Sequence, residues 1–359
     1  MQHQLRQSWP KPDRPLPIVI VGVGDIVNDA HLPAYRKAGF DVAGVFDLNT
    51  ERAVDVSRQW NIDTVYSDIA QAARAGVNCI YDIATPPQSI LDILPQLPDG
   101  AAVLMQKPMG ENLEQAEAIR AICKAKKLTA AVNFQLRFSP MMLAVRDAIR
   151  SNYLGEILDV EVHVNISTPW EIFPFLKAME RVEIAVHSIH YLDLIRSLVG
   201  EPEGVFVRSL RDPRVPELAQ TRTSIILDYG QRLRTILSIN HNHGLGGDFQ
   251  DATIRFEGSE GCAIVKLGLL LNYPQGEPDE LWLSGTAGAW KQIELHGQWF
   301  PDAFVHVMSN LQRFYAGDDR QLMTSVDDAY QTMLLVESCF LANEAPSLSA
   351  TSQRGRVLR

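Results

Sequence analysis

The sequence predicts a two-part α/β protein: an N-terminal doubly wound parallel sheet, then an α+β domain with a largely antiparallel, open sheet. Three observations carry this. Through residues 18–140 short apolar runs alternate with helical periods, the pattern of βαβ units. The first run, residues 18–22, is continuous and β-branched, as a strand covered on both faces must be, and it ends in glycine. Beyond residue 140 the pattern changes to alternating strands separated by turn residues, and 359 residues exceed what one core usually supports.

Each element follows from its own pattern. In the first part, strands are predicted at 18–22, 41–46, 77–84, 102–105 and 129–133, with helices at 30–38, 50–60, 88–97 and 113–127 between them. The second part, 141–359, opens with a helix at 141–151, an alternating strand at 156–166 and a helix at 181–198. Strands follow at 204–210, 221–228, 232–240, 252–258 and 262–266, with Gly230-Gln231 and the glycines at 258 and 261 marking hairpin turns. Helices at 301–315 and 325–343 close the pattern. Residues 1–17 are polar and Pro-rich, and read as a loose arm or a strap onto a neighbouring subunit.

Composition narrows the function. A net charge of −10 and a pI near 5.4 argue against a nucleic-acid partner, whose phosphates demand Lys and Arg. The nearest basic run, Lys124, Lys126 and Lys127, reads as a solvated helix face. No apolar run approaches the ~20 residues that span a bilayer, and the N-terminus lacks the apolar core of a signal peptide. Cys79, Cys123, Cys262 and Cys339 are scattered and form no C-x-x-C pair, as expected of free buried thiols in a reducing cytoplasm.

The chemistry sits at strand ends. The first strand runs into Gly22-Val23-Gly24-Asp25-Ile26-Val27, where glycines permit a tight turn and close approach of a diphosphate to a helix N-terminus. Val27 occupies the usual third small position. Asp47 ends the second strand, and its carboxylate suits a ribose 2′-hydroxyl and repels a 2′-phosphate, which favours NAD over NADP. Ala84-Thr85-Pro86-Pro87 and Gln106-Lys107-Pro108 end two further strands, at the edge where open α/β sheets bind ligands. A desolvated Lys107 would exchange protons or polarise a hydroxyl.

This ordered set, together with Ala30-His31-Leu32-Pro33, Gly155-Glu156-Ile157 and Gly200 after a His-bearing helix, resembles the Gfo/Idh/MocA oxidoreductases. The resemblance implies an N-terminal Rossmann domain (18–140) and a substrate-binding and oligomerisation domain (141–359) whose open sheet joins subunits. It also implies a carbohydrate substrate between them and reversible hydride transfer to NAD. Cofactor contacts would come from Gly22, Gly24, Asp25, Ile26, Asp47, Thr85, Pro86, Gln106, Lys107 and Gln135. Family members usually carry Glu before the lysine; Gln106 stands there instead, which removes one influence that raises the lysine pKa.

The family's D-x-x-x-H-x-x-D segment aligns with Val186-His187-Ser188-Ile189-His190-Tyr191-Leu192-Asp193. The resemblance makes His190 the base and Asp193 a substrate ligand, with Val186 in place of the first acid. His187 lies one turn earlier with Glu183 a turn before that, so either imidazole qualifies as the base. His163 and Asn165 share a strand face that, by resemblance, looks toward the substrate, as do Arg137 and Trp170. His241 and His243 share a face with Asn242 opposite. No Cys or carboxylate stands at ligand spacing from them, so no metal is expected. Trp282, Trp290 and Trp299 are expected to pack on the sheet. Two rivals remain: transient oxidation in a lyase, hydrolase or epimerase, and a non-catalytic dinucleotide-binding regulator.

Overall fold

The computed structural model describes residues 5–346; residues 1–4 of the arm and 347–359 lie outside the described residues. The first sheet contains β1 (Ile18–Val21), β2 (Val42–Phe46), β3 (Ile80–Ile83), β4 (Ala102–Met105) and β5 (Thr129–Val132), all parallel in the order β2-β1-β3-β4-β5. Around it lie α1 (Leu32–Ala38), α2 (Thr50–Trp60), α3 (Ile69–Ala73), α4 (Ile90–Ile93) and α5 (Leu113–Ala125). Asn49 caps α2 by accepting from the Arg52 N–H, and Asn61, in the left-handed region at φ 56°, ends it.

The chain then passes through α6 (Pro140–Arg150) into the second sheet. This holds β6 (Ile157–Asn165), then α7 (Ile189–Val199) as an excursion, then β7 (Gly204–Arg211), β8 (Gln220–Asp228), β9 (Arg234–Asn240), β10 (Asp251–Gly258), β11 (Gly261–Lys266), β12 (Glu280–Gly285) and β13 (Lys291–Ile293). The order is β13-β12-β11-β10-β6-β9-β8-β7, antiparallel except for β6 beside β9. Val160, Val162 and Val164 turn into a core shared with Met141 of α6 and Leu192 of α7. The other face is open, and Leu158, Phe206, Leu210 and Ile226 are exposed on it.

Besides β12 and β13, which the sequence pattern does not mark, two further features depart from the sequence reading. The helix expected at 181–198 opens as a π-helix, Glu183–Ser188, before continuing as α7; Val27–His31 before α1 is likewise π-helical. The arm, at residues 5–17, is packed on its own chain rather than loose. Trp9 is buried against Phe138 and Arg146 and donates to Asp319 at 2.6 Å, and Gln7 donates to the Glu294 carbonyl at 2.9 Å. An indole and an amide this well partnered tie down a segment that is otherwise largely exposed.

The last two helices, α8 (Asp302–Ala316) and α9 (Val326–Glu344), return to the beginning of the chain. Phe304, Val307, Met308 and Leu311 of α8 share one core with Ile18, Ile20, Leu104 and Ala131 of the first sheet. Ser325 forms an antiparallel bridge to Ala131, and the Val132 N–H donates to the Thr324 carbonyl at 2.8 Å. All four cysteines are buried and free. No described helix is long and apolar enough to cross a membrane.

Candidate active site

The carboxyl ends of β1, β3 and β4 converge on one crevice. Gly22 turns the chain at φ 89°, and a Cβ there would come within 2.8 Å of the Ala84 carbonyl oxygen, so only glycine lets β1 and β3 meet. A Cβ on Gly24 would meet nothing within 4 Å, leaving the loop's outer side open. Asp47 braces the loop: one carboxylate oxygen accepts from the Val23 N–H and the other from the Asn49 N–H, both at 2.8 Å. Thr85 presents a buried hydroxyl without a partner, as does the Asn133 amide at the end of β5. An open glycine turn at a helix start, with unpaired buried donors beside it, fits a dinucleotide.

Gln106 is turned elsewhere. Its amide donates to His31 Nε2 at 2.8 Å, while His31 Nδ1 faces Asp82 at 2.6 Å and the Tyr35 hydroxyl donates to the same carboxylate at 2.6 Å. An imidazole with one N–H gives its proton to Asp82 and accepts from an amide on the other side. A carboxylate at position 106 would meet that acceptor with no proton to share, so the amide of Gln106 suits this place. Gln135 is likewise occupied: it is buried, and its carbonyl accepts from the Trp299 indole at 3.2 Å. Trp299 therefore stands edge-on to His190, its ring 6.2 Å away, rather than merely packing on the sheet.

Lys107 reaches across from the first sheet and donates to the Val186 carbonyl at 3.0 Å. Burial pushes its ammonium down to about 8. The same desolvation holds His187 and His190 well below the usual histidine range; neighbouring His241 and Lys107 add to the effect on His187, and Lys107 adds to it on His190. Nδ1 of each histidine is buried without a partner. Trp170, on the loop after β6, packs edge-on to His187 at 5.9 Å and donates to Asn242 at 2.7 Å. Lys107, His187, His190 and Trp170 thus come together as expected.

Four expected substrate ligands do not join them. Arg137 and Asp193 form a buried bidentate pair, tied to Asp328 at 2.8 Å, Thr332 at 2.8 Å and the Met323 carbonyl at 3.1 Å. Burial raises the Asp193 pKa, with the Arg137 guanidinium working against that rise. With their hydrogen bonds spent on α9 and its approach, both side chains lock α7 to the C-terminal helix. His163 and Asn165 face the open side of the second sheet. His163 is exposed, and Asn165 bonds Asn240 and His243 at 2.8 and 3.2 Å. The reason is the pleat: Val162 and Val164 take the covered face, so their neighbours must point away.

One residue was missed. His241 lies past the end of β9 and turns inward, its ring 4.1 Å from that of His187. His243 stays outside, bonded to the Asp248 carbonyl at 2.8 Å, so the two do not share a face. The alternation stops where the strand stops, and no periodicity signals it.

Residues 16–134 match the oxidoreductase family with an NAD-binding Rossmann fold, GFO_IDH_MocA. A D-apiose dehydrogenase of Paraburkholderia graminis is 23% identical over 95% of this chain and 94% of its own length. The structure of an oxidoreductase from Agrobacterium radiobacter in complex with NAD+, L-tartaric acid and magnesium superposes with a TM-score of 0.76 at 22% identity, covering 92% of this chain and 96% of that one. A super-repressor mutant of Gal80p from Saccharomyces cerevisiae also reaches 0.76 at 14% identity, again over 92% and 96%. An oxidoreductase and a super-repressor mutant therefore share this fold, so the fold alone assigns no role.

Proposed function

We propose that this chain is a Gfo/Idh/MocA oxidoreductase, its residues 16–134 matching that family's NAD-binding Rossmann fold, and that it is an NAD-dependent dehydrogenase acting on a secondary hydroxyl of a sugar or polyol. The observation that carries the reading is the trio of Lys107, His187 and His190, half-buried or buried, at the mouth of a dinucleotide crevice. A regulator has no need to desolvate an ammonium and two imidazoles side by side. The likeness to a D-apiose dehydrogenase along almost the whole chain supports a carbohydrate substrate.

Gly22, Gly24, Thr85 and the helix start at Asp25 and Ile26 would hold the diphosphate, and Asp47 the adenosine ribose, whose 2′-phosphate it would repel. When bound, NAD supplies the hydride acceptor. The protein does the rest: Lys107, protonated below about 8, donates to the substrate oxygen and polarises it. His190, kept neutral by burial, accepts the hydroxyl proton. Trp299 and Trp170 wall the crevice and exclude water. The exposed apolar residues Phe206, Leu210 and Ile226 support pairing of two copies through the open sheet face, and four buried free thiols support a cytoplasmic setting.

The test is a panel of sugars and polyols, D-apiose included, followed by NADH absorbance with NAD+ or NADP+. His190→Ala should lower kcat by roughly 10²- to 10⁴-fold while NADH still binds. Bond cleavage without added NAD+ would replace dehydrogenation by transient oxidation. No turnover across the panel, with nucleotide-dependent partner binding, would replace it by regulation.

A further inference from the structure

Beside the proposed base, His187 belongs to a second group of side chains. Glu183 is fully buried, with 0% of its surface exposed, and among the described residues no Lys or Arg pairs with it. One carboxylate oxygen accepts from Ser188 at 2.8 Å; the other has no partner. His241, 2% exposed, binds Thr168 Oγ1 through Nδ1 at 3.0 Å, while its Nε2 is unpartnered and stands 3.7 Å from Glu183 Oε1, too far for a hydrogen bond. His187 completes the group. One ligand atom from each of the three residues lies within 4.8 Å of the others.

Orphaned groups of this kind each cost about 1–3 kcal/mol when buried, and here three residues that carry one are gathered together. The backbone contributes: the π-helix Glu183–Ser188 brings residues four and five apart onto one side, so Glu183, His187 and Ser188 crowd together. Thr168 does for His241 what outer-shell partners do in metal sites, holding Nδ1 so that Nε2 points inward with its lone pair free. Metal–ligand bonds of about 2.0–2.2 Å need ligand atoms roughly 3.4 Å apart in a tetrahedron, close to the Glu183–His241 separation.

We propose that Glu183, His187 and His241 bind a divalent transition-metal ion of the zinc class. Two imidazoles and one carboxylate leave a fourth position open, the ligand set of catalytic rather than structural zinc. That position lies by Lys107, whose ammonium is tied to the residue preceding His187. There the ion takes an oxygen of the substrate, and His187 is a ligand, which leaves His190 as the base. The role given to the ion rests on the dehydrogenase reading; its binding does not.

The experiment uses the full chain, stripped with chelator and dialysed, and titrated with Zn2+ alone and Co2+ alone without NAD or sugar. Metal analysis should find one ion per chain, and the cobalt form should show the intense visible absorption of a four-coordinate site. Glu183→Gln and His241→Gln should abolish both, and Thr168→Val, which keeps all three ligands, should weaken binding by roughly 10- to 100-fold. Zn2+ should raise the melting temperature of the parent chain and not of the two ligand variants, whose far-UV circular dichroism checks their folding. Binding below one equivalent, or equal binding in folded ligand variants, overturns the proposal. Dehydrogenase activity in a chain that binds no metal would overturn the site alone. Stoichiometric binding without turnover on any sugar would overturn the dehydrogenase reading alone.

Discussion

Replacing Lys107 by Met removes one ammonium from a desolvated place and keeps most of its apolar stem. The fall of the lysine pKa from 10.5 to about 8, at about 1.4 kcal/mol per unit, means that holding the charge there costs up to about 3 kcal/mol at neutral pH. The Val186 carbonyl loses its donor, which returns about 1 kcal/mol. Lys107→Met is therefore expected to be more stable by about 2 kcal/mol, a rise in Tm of roughly 3 °C for a chain of this length, while kcat/KM falls by roughly 10²- to 10⁴-fold. The sign of the pH effect is fixed. Between about 8 and 10.5 the unfolded chain holds a proton that the folded one has released, so the parent gains stability as pH rises and the advantage of the variant shrinks. Paired thermal scans at pH 7 and pH 10, with activity measured alongside, test both halves. A variant less stable than the parent at pH 7, or an advantage unchanged at pH 10, would refute the desolvation argument.

The remaining predictions separate structural from functional roles. Gly24→Ala meets open space and should leave the melting temperature of the free protein unchanged while weakening NAD binding; Gly22→Ala, strained at φ 89° and against Ala84, should cost about 1–3 kcal/mol without any ligand. Asp193→Asn should destabilise the fold by about 1–3 kcal/mol by weakening the Arg137 pair while Asp328 still holds the guanidinium, with KM for the sugar unchanged in the residual active fraction. Phe206→Glu, on the open face, should shift the protein to monomer in light scattering without altering its far-UV circular dichroism.

The sequence was most legible where one physical rule acted alone. Residues 50–60 and 102–105 were placed to the residue, because a cap and a short, fully buried apolar run leave little choice. β12 and β13 went unread: Glu280–Gly285 is short and lies between prolines and glycines, so only its pairing with β11 makes it a strand. In the crevice, Lys107, His187 and His190 were readable because strand ends and helix turns bring them close in a predictable way. Period-2 spacing put His163 with Asn165 but could not say which face they took, although the valines between them carried that signal. Arg137 and Asp193 had the right chemistry for a polyol, yet α9 supplies their partners, and nothing local announces a contact so distant. Glu183 and His241 meet only through the tertiary fold, which is why spacing gave no hint of a shared site.

The return of α8 to the first sheet has a consequence for biosynthesis. The nucleotide-binding half leaves the ribosome first, but one flank of its core is made of Phe304, Val307, Met308 and Leu311. Until those residues emerge, the core around Ile20 and Leu104 lacks that flank, and the half-built sheet is a surface for chaperones or for aggregation. The core of the cofactor domain is thus completed only after the second sheet has been made. A ribosome stalled just after residue 140 would display a sticky intermediate and not a folded domain.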